Sequence, residues 1–320
     1  MEYDKRIDEM SVGDTVEGFY ILKTAVSKIA SNGRPYLNAV ISDISGAMDA
    51  KVWDYGGPIS AAEEGKVVKV RGTVGEYRGT AQMSVDRIRL AQAQDRYDLS
   101  LLVPVAPIDR DAAYREVEAT VESLKDADYQ AVCREMLKRH KERFCEIPAA
   151  KSFHHSFLSG LLMHTGNMLK TADFLASLYA DTVDRDLLLA GTLLHDFAKI
   201  EEFTFSEVGL VTDYSVRGKL LGHLTMGAQE VGEIGRTLGL PEEKTALLQH
   251  MLLSHHGEPE FGAAVRPICA ESELLSLIDL MDSRMEIYRE TFQSVPAGKF
   301  SGRIFALDKV IYHHGGEKET

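Results

Sequence analysis

Between residues 13 and 92, apolar positions recur in short β-branched runs cut by Gly-containing turns, a pattern that predicts strands. The runs are Val16–Val26, Tyr36–Ile41, Ala50–Trp53, Lys66–Gly72 with Val74–Tyr77, and Ala81–Leu90. The breaks between them are Ser31-Asn32-Gly33-Arg34-Pro35, Ser45-Gly46, Glu63-Glu64-Gly65 and Arg78-Gly79. Five strands in roughly 80 residues suit a small closed barrel. Residues 93–110 carry Pro104 and Pro107 and no helical period, and read as a linker. From Asp111 onward apolar residues fall three and four apart, the spacing of one helix face. Helices are expected at Ala112–Leu124, Tyr129–Arg143, Phe157–Leu178, Arg185–Lys199, Gly218–Leu238, Glu242–His255 and Ala270–Phe292. Gly239 follows one of them and Pro241 opens the next, as helix termini favour. The expected plan is a barrel over 1–92, a linker over 93–110 and an all-α domain over 111–320. Its last stretch, Phe300–Thr320, shows no clear period and is expected to fray.

Charge narrows the partners. The 320 residues carry a net charge of −13, which argues against general affinity for nucleic acid or anionic membrane. The excess is uneven. Residues 1–92 hold 12 Lys+Arg and 13 Asp+Glu, so nearly all of it lies beyond the barrel. The barrel is therefore the better place for a polyanion. Cys133, Cys145 and Cys269 are few and widely spaced, which fits reduced thiols in the cytoplasm better than a disulfide framework. The polar start, MEYDKRIDEM, does not read as a signal peptide, and no apolar run is long enough for a membrane span.

The chemistry concentrates in histidine. Of 11 histidines, eight lie between His154 and His256: His154, His155, His164, His195, His223, His250, His255 and His256. Several close apolar helical runs, His164 after Leu158–Met163 and His195-Asp196 after Leu187–Leu194. A buried imidazole or carboxylate in such company is costly unless paired or bound to metal. One such histidine is ordinarily a satisfied core residue, whereas a set of them beside Asp196 points to metal. Imidazole nitrogen and carboxylate oxygen suit Mn²⁺, Fe²⁺, Zn²⁺ or Co²⁺. The absence of cysteine from the set disfavours a structural thiolate site. A carboxylate between two histidine sets can bridge two ions, the arrangement used to hydrolyse phosphodiesters.

The ordered set His164, His195-Asp196 and Asp279 resembles the HD-domain metal-dependent phosphohydrolases, whose pattern is H…HD…D on separate helices. Here 31 residues separate His164 from His195, and 83 separate Asp196 from Asp279. Longer runs resemble the YhaM-like 3′–5′ exoribonucleases. They are Lys151–Thr165, Leu193–Ile200, Gly222-His223-Leu224 and Leu253–Gly257, with Tyr36-Leu37-Asn38 and Lys51-Val52-Trp53-Asp54 in the barrel. The resemblance covers nearly the whole chain. It implies an N-terminal five-stranded OB-fold β-barrel followed by an all-α HD-domain with its metal core over about 154–292. It also implies two divalent ions, Mn²⁺ first, with Co²⁺, Fe²⁺, Zn²⁺ or Mg²⁺ as alternatives. His164, His195, Asp196 and Asp279 would be the core ligands, with Asp196 bridging. His223 with His255 or His256 would complete a second site, His255 being favoured because it ends the apolar run. Lys199, one turn after His195 on the same expected helix, would reach a substrate phosphate. Asp282 is open between holding a ligand and being a surface charge, and His154 and His155 between lining the pocket and serving a loop.

In the barrel, Tyr36, Lys51, Trp53, Lys69 and Arg71 are candidates for single-stranded nucleic acid, by stacking beside a positive groove. Phe19, Tyr20, Tyr77 and Arg78 are further candidates. On a strand, Lys51 and Trp53 share one face, and the charge of Lys51 puts that face outward. The expected activity is 3′–5′ hydrolysis of single-stranded RNA, with DNA as a second substrate and self-association into a homo-oligomer allowed for. One rival is a phosphohydrolase of small nucleotides or cyclic dinucleotides. The barrel argues against it, as does the lack of a Gly-Tyr-Pro element after His255-His256, where the chain continues Gly257-Glu258-Pro259-Glu260. The other rival is a binding module with a structural metal, which a surplus of ligands disfavours.

Overall fold

The computed structural model describes residues 2–151 and 155–315. The chain forms two compact units divided at Val105/Ala106, with Phe205–Leu210 grouped with the first. The stretch 93–110, expected as a linker, is thus shared between the units. It contains a short 3₁₀ turn at Leu99–Leu101.

The first unit comprises β1 (Glu2–Tyr3), β2 (Thr15–Ile29), β3 (Pro35–Asp43), β4 (Gly46–Trp53), β5 (Val67–Tyr77) and β6 (Thr80–Leu90). The sheet order β1-β2-β3-β4-β6-β5 closes through a β2–β5 pairing, and β4 runs parallel to β6. β2 to β6 therefore make the expected five-stranded OB-fold barrel, and β1 is appended to β2. Burial along the start of β2 alternates with period two, so Val16, Tyr20 and Leu22 point into the barrel. Lys66–Gly72 and Val74–Tyr77, read as separate runs, are one strand with a bulge between Arg71 and Gly72. The barrel core is aliphatic, with Leu37, Ala39, Ile41, Ala50, Val68, Val70 and Met83 buried.

The second unit contains α1 (Arg110–Glu122), α2 (Ala127–Glu146), α3 (Gly160–Leu178), α4 (Arg185–Leu194), α5 (Lys199–Glu202), β7 (Phe203–Phe205, all but its last residue), β8 (Val211–Tyr214), α6 (Val216–Leu238), α7 (Glu242–Ser254), α8 (Ala270–Ser294), β9 (Lys299–Phe300) and β10 (Tyr312–His313). Asp109, Asp126 and Asp184 cap the starts of α1, α2 and α4 by accepting main-chain N–H groups. α4 is buried on every side from Asp186 to Leu194, as an all-round apolar helix must be. Each of its fully buried leucines contributes about 1.5–3 kcal/mol by leaving water. This helix is the axis on which the ligand-bearing ends converge.

Four expectations are corrected. Arg185–Lys199 is not one helix: α4 ends at Leu194 and α5 begins at Lys199. Gly218–Leu238 starts earlier, at Val216, and is kinked at Gly222, whose φ of 72° and ψ of 158° no helix contains. The domain expected to be all-α also carries the β7–β8 hairpin, and Phe300, Tyr312 and His313, in the stretch expected to fray, take part in the β9–β10 pair.

Candidate metal centre

Five helices deliver the histidines and aspartates to one place. His164 projects from the second turn of α3, and Asp279 and Asp282 project from α8. His195 and His255 stand at the C-caps of α4 and α7, each followed by a second ligand-type residue, Asp196 and His256. His223 directly follows the Gly222 kink in α6.

The helix ends fix the rings. Nδ1 of His195 donates to the Thr192 carbonyl at 2.8 Å, and Nδ1 of His255 donates to the Leu252 carbonyl at 2.8 Å. A carbonyl only accepts, so Nδ1 carries a proton and Nε2 is the nitrogen turned inward. Nδ1 of His164 donates to Asp282 Oδ2 at 2.7 Å, and Nδ1 of His223 donates to Glu202 Oε1 at 3.0 Å. All four Nε2 atoms consequently face the Asp196 carboxylate, and its two oxygens divide them. His195 and His164 approach Oδ2 at 3.3 and 3.8 Å, whereas His223 and His255 approach Oδ1 at 3.5 and 3.7 Å. Asp279 Oδ1 lies 3.3 Å from His164 Nε2.

These separations leave the centre unsatisfied. His195 Nε2, Asp196 Oδ1, His223 Nε2, His255 Nε2 and His256 Nδ1 are buried without a hydrogen-bond partner among the described residues. Each such atom costs roughly 1–3 kcal/mol unless something else meets it. Borderline nitrogen donors around shared carboxylate oxygens are what a divalent cation takes. Within the centre, His164, His195 and Asp196 form one metal-sized group, and His223, His255 and His256 form another. A third grouping, His155 with His164 and Asp282, has Asp282 Oδ2 hydrogen-bonded at 2.8 Å to His155 and 2.7 Å to His164. It is a relay of hydrogen bonds. The residues present fit two ions.

Without a cation, electrostatics separate the rings. Burial opposes ionisation of Asp196, but Lys199 and the surrounding imidazoles outweigh it and hold the carboxyl well below its usual range. Burial likewise opposes charge on His164, and the bonds to Asp279 and Asp282 overcome it, raising the ring to about 9. Burial and the neighbouring rings His195 and His256 push His255 down. Burial and His223 lower His256 to about 4. His255 and His256 are thus kept available as neutral donors.

An HD-domain family model matches residues 161–284, the segment that holds this centre, and an OB-fold nucleic acid binding domain model matches residues 20–91. The 3′–5′ exoribonuclease YhaM of Listeria innocua serovar 6a is 36% identical over 316 residues, 97% of this chain and 98% of that protein. The 3′–5′ exoribonuclease YhaM of Halalkalibacterium halodurans is 37% identical over 303 residues, covering 94% and 93%. The chain belongs to the YhaM 3′–5′ exoribonuclease family. Over the barrel, the second OB-fold domain of replication protein A from Methanococcus maripaludis aligns at 14% identity and TM-score 0.24, covering 30% of this chain and 100% of that one. The HD domain brings a dependence on divalent metal. No helix among the described residues is long and apolar enough to cross a membrane.

In this YhaM-family chain the expected ligands His164, His195, Asp196, His223, His255, His256 and Asp279 are brought together. Lys199 is off the helix that carries His195, yet its Nζ still reaches Asp196 Oδ2 at 2.6 Å. His155 is buried against Asp282, and His154 lies outside the described residues. His250 accepts the Ile268 N–H through Nε2. Glu202 was missed. It is one of two adjacent glutamates, and only the α6 kink shows which of them meets His223.

Of the barrel candidates, Trp53, Lys69 and Arg71 line one groove. Tyr36 and Trp53 are register partners on β3 and β4 with ring centroids 5.0 Å apart. Lys51 Nζ lies over both Trp53 (5.9 Å) and Tyr77 (4.9 Å). Trp53 is 53% exposed while Ala50 and Val52 are buried, so this face is outward as expected. Lys69 is on β5, ion-paired with Glu17 at 2.9 Å, and Arg71 opposes Arg87. Tyr20 leaves the candidate set: it is a core residue whose hydroxyl donates to the Lys5 carbonyl.

Proposed function

We propose that this chain is a divalent-cation-dependent hydrolase that removes nucleotides from the 3′ end of single-stranded RNA in the cytoplasm. One observation carries the reading: unpartnered ring nitrogens are gathered around the two oxygens of Asp196. His164, His195, Asp196 and Asp279 would hold a first cation. Asp196, His223, His255 and His256 would hold a second, with Asp196 between them. Mn²⁺ is the first choice. When bound, the ions supply Lewis acidity toward the scissile phosphate and an activated water at neutral pH.

The chain's own residues do the rest. Thr192 and Leu252 carbonyls keep His195 and His255 in the tautomer that can ligate. Lys199, 13% exposed beside Asp196, offers the positive charge nearest the cluster for phosphate oxygens. Asp279 keeps 18% exposure whereas His195 and His255 have none, so the strand's end enters on the α8 side. Bases stack on Tyr36 and Trp53, with Lys51, Lys69 and Arg71 meeting the backbone.

The test is degradation of 3′- and 5′-labelled single-stranded RNA and DNA with Mn²⁺ or EDTA. Shortening from the 3′ end is expected with Mn²⁺ only, and it should vanish in His195→Ala and Asp196→Ala while the melting profile persists. Full activity in either variant defeats the proposal. Turnover of small cyclic or mononucleotides alone would favour the small-nucleotide enzyme.

A further inference from the structure

Four imidazoles turn Nε2 inward, but their Nδ1 atoms are held in two different ways. His195 and His255 donate to main-chain carbonyls, and His164 and His223 donate to carboxylates. The two carboxylate-backed rings stand on opposite sides of the bridge. His164 faces Asp196 Oδ2, and His223 faces Asp196 Oδ1.

Glu202 is built for its place. It is 5% exposed, at the end of α5, and Oε1 takes both the ring and the main-chain N–H of His223, at 3.0 and 2.9 Å. The approach depends on two glycines of α6. A Cβ on Gly218 would stand 2.2 Å from the Glu202 carbonyl oxygen, and the φ of +72° at Gly222 turns the His223 N–H toward the carboxylate. Asp282, from α8, likewise grips His164, sharing Oδ2 with His155.

We infer that Glu202 and Asp282 are positioning residues that set the affinity of the two cation sites separately. Asp282 acts on the first site through His164, and Glu202 acts on the second through His223. The inference rests on the ligand sets proposed above. A carboxylate behind a ligating imidazole fixes its tautomer and makes the ring a stronger donor, and loss of such a partner weakens metal binding about 10- to 100-fold. With the carboxylates divided one per site, each loss should be confined to one ion.

The experiment is Mn²⁺ titration of the full-length protein, by calorimetry and by metal analysis after dialysis. Two equivalents are expected for the unaltered chain. Glu202→Gln should keep one equivalent unchanged and weaken the other about 10- to 100-fold. Asp282→Asn should do the same to one equivalent. Glu202→Gln added to His223→Ala should change nothing more, whereas added to His164→Ala it should leave no tight site. Saturating Mn²⁺ should restore kcat in Glu202→Gln. If Glu202→Gln does not fold, Glu202→Asp, which keeps the charge and shortens the reach, should still lose the second ion selectively. Equal weakening of both ions, or none, in the Glu202 variant overturns the inference. If His223→Ala itself still binds two equivalents, the ligand sets are wrong instead.

Discussion

Lys199 Nζ lies 2.6 Å from Asp196 Oδ2, the oxygen that also faces His195 and His164. A buried lysine so placed neutralises the carboxylate in the absence of metal and is free to turn to another anion once cations take that role. Lys199→Met should therefore keep its Mn²⁺ and lose kcat, on the order of 100-fold, as removal of one charge-stabilising donor does. Metal analysis alongside rates on labelled RNA checks this. Unchanged kcat would reduce Lys199 to a partner of Asp196.

Gly222 holds a conformation that an L side chain resists, and the next residue is His223. The backbone strain of Gly222→Ala is about 1–3 kcal/mol. It should be relieved by letting His223 swing away from Glu202. The expected result is a modest fall in melting temperature with a large loss of the second Mn²⁺ equivalent. A variant that retains both ions would show that the kink does not set the ring.

The Tyr36–Trp53 pair should bind bases rather than support the barrel. Trp53→Ala removes a side chain that is 53% exposed, so stability should hardly move. Affinity for single-stranded RNA should drop by about 1–3 kcal/mol. Fluorescence anisotropy with a labelled oligonucleotide measures the loss, and turnover of a dinucleotide should be spared. Equal damage to both substrates would place the tryptophan's effect elsewhere.

α2 and α6 are tied by Glu230, whose Oε1 meets His140 Nε2 at 2.8 Å and Arg139 at 3.5 Å. Burial raises this carboxyl, but the His140 and Arg139 contacts outweigh it and hold it below the usual glutamate range. A lowered folded-state value means stability that is present above the unfolded value, ~4.3, and is lost as pH falls through the folded one. Glu230→Gln should melt lower than the parent at pH 7 in EDTA, and the gap should shrink as pH falls below about 4.3. A gap independent of pH would assign the effect to shape instead of charge.

The ligands were legible because imidazoles and carboxylates at the ends of long apolar runs have few other uses. The strands were legible from period two, and the same period puts Tyr20 inward, although its aromatic character suggested a binding surface. Other features depend on partners far along the chain. Arg185–Lys199 reads as continuous helix because its one glycine, Gly191, sits inside an unbroken apolar run and no Pro interrupts it. The break arises where the His195 ring takes the Thr192 carbonyl that the helix would otherwise use. Asp282 was open between holding a ligand and being a surface charge, and Glu202 gave no signal; the meeting of α8 with α3 and of α5 with α6 decides both.

Because the cluster gathers side chains from α3, α4, α6, α7 and α8, cations seated there would work as rivets as well as reagents. The helical unit's resistance to heat should then climb with free Mn²⁺, by about 2.7 kcal/mol at a hundredfold excess over the dissociation constant. A chain stripped by chelator would be loosened in its architecture at the same moment that it falls silent.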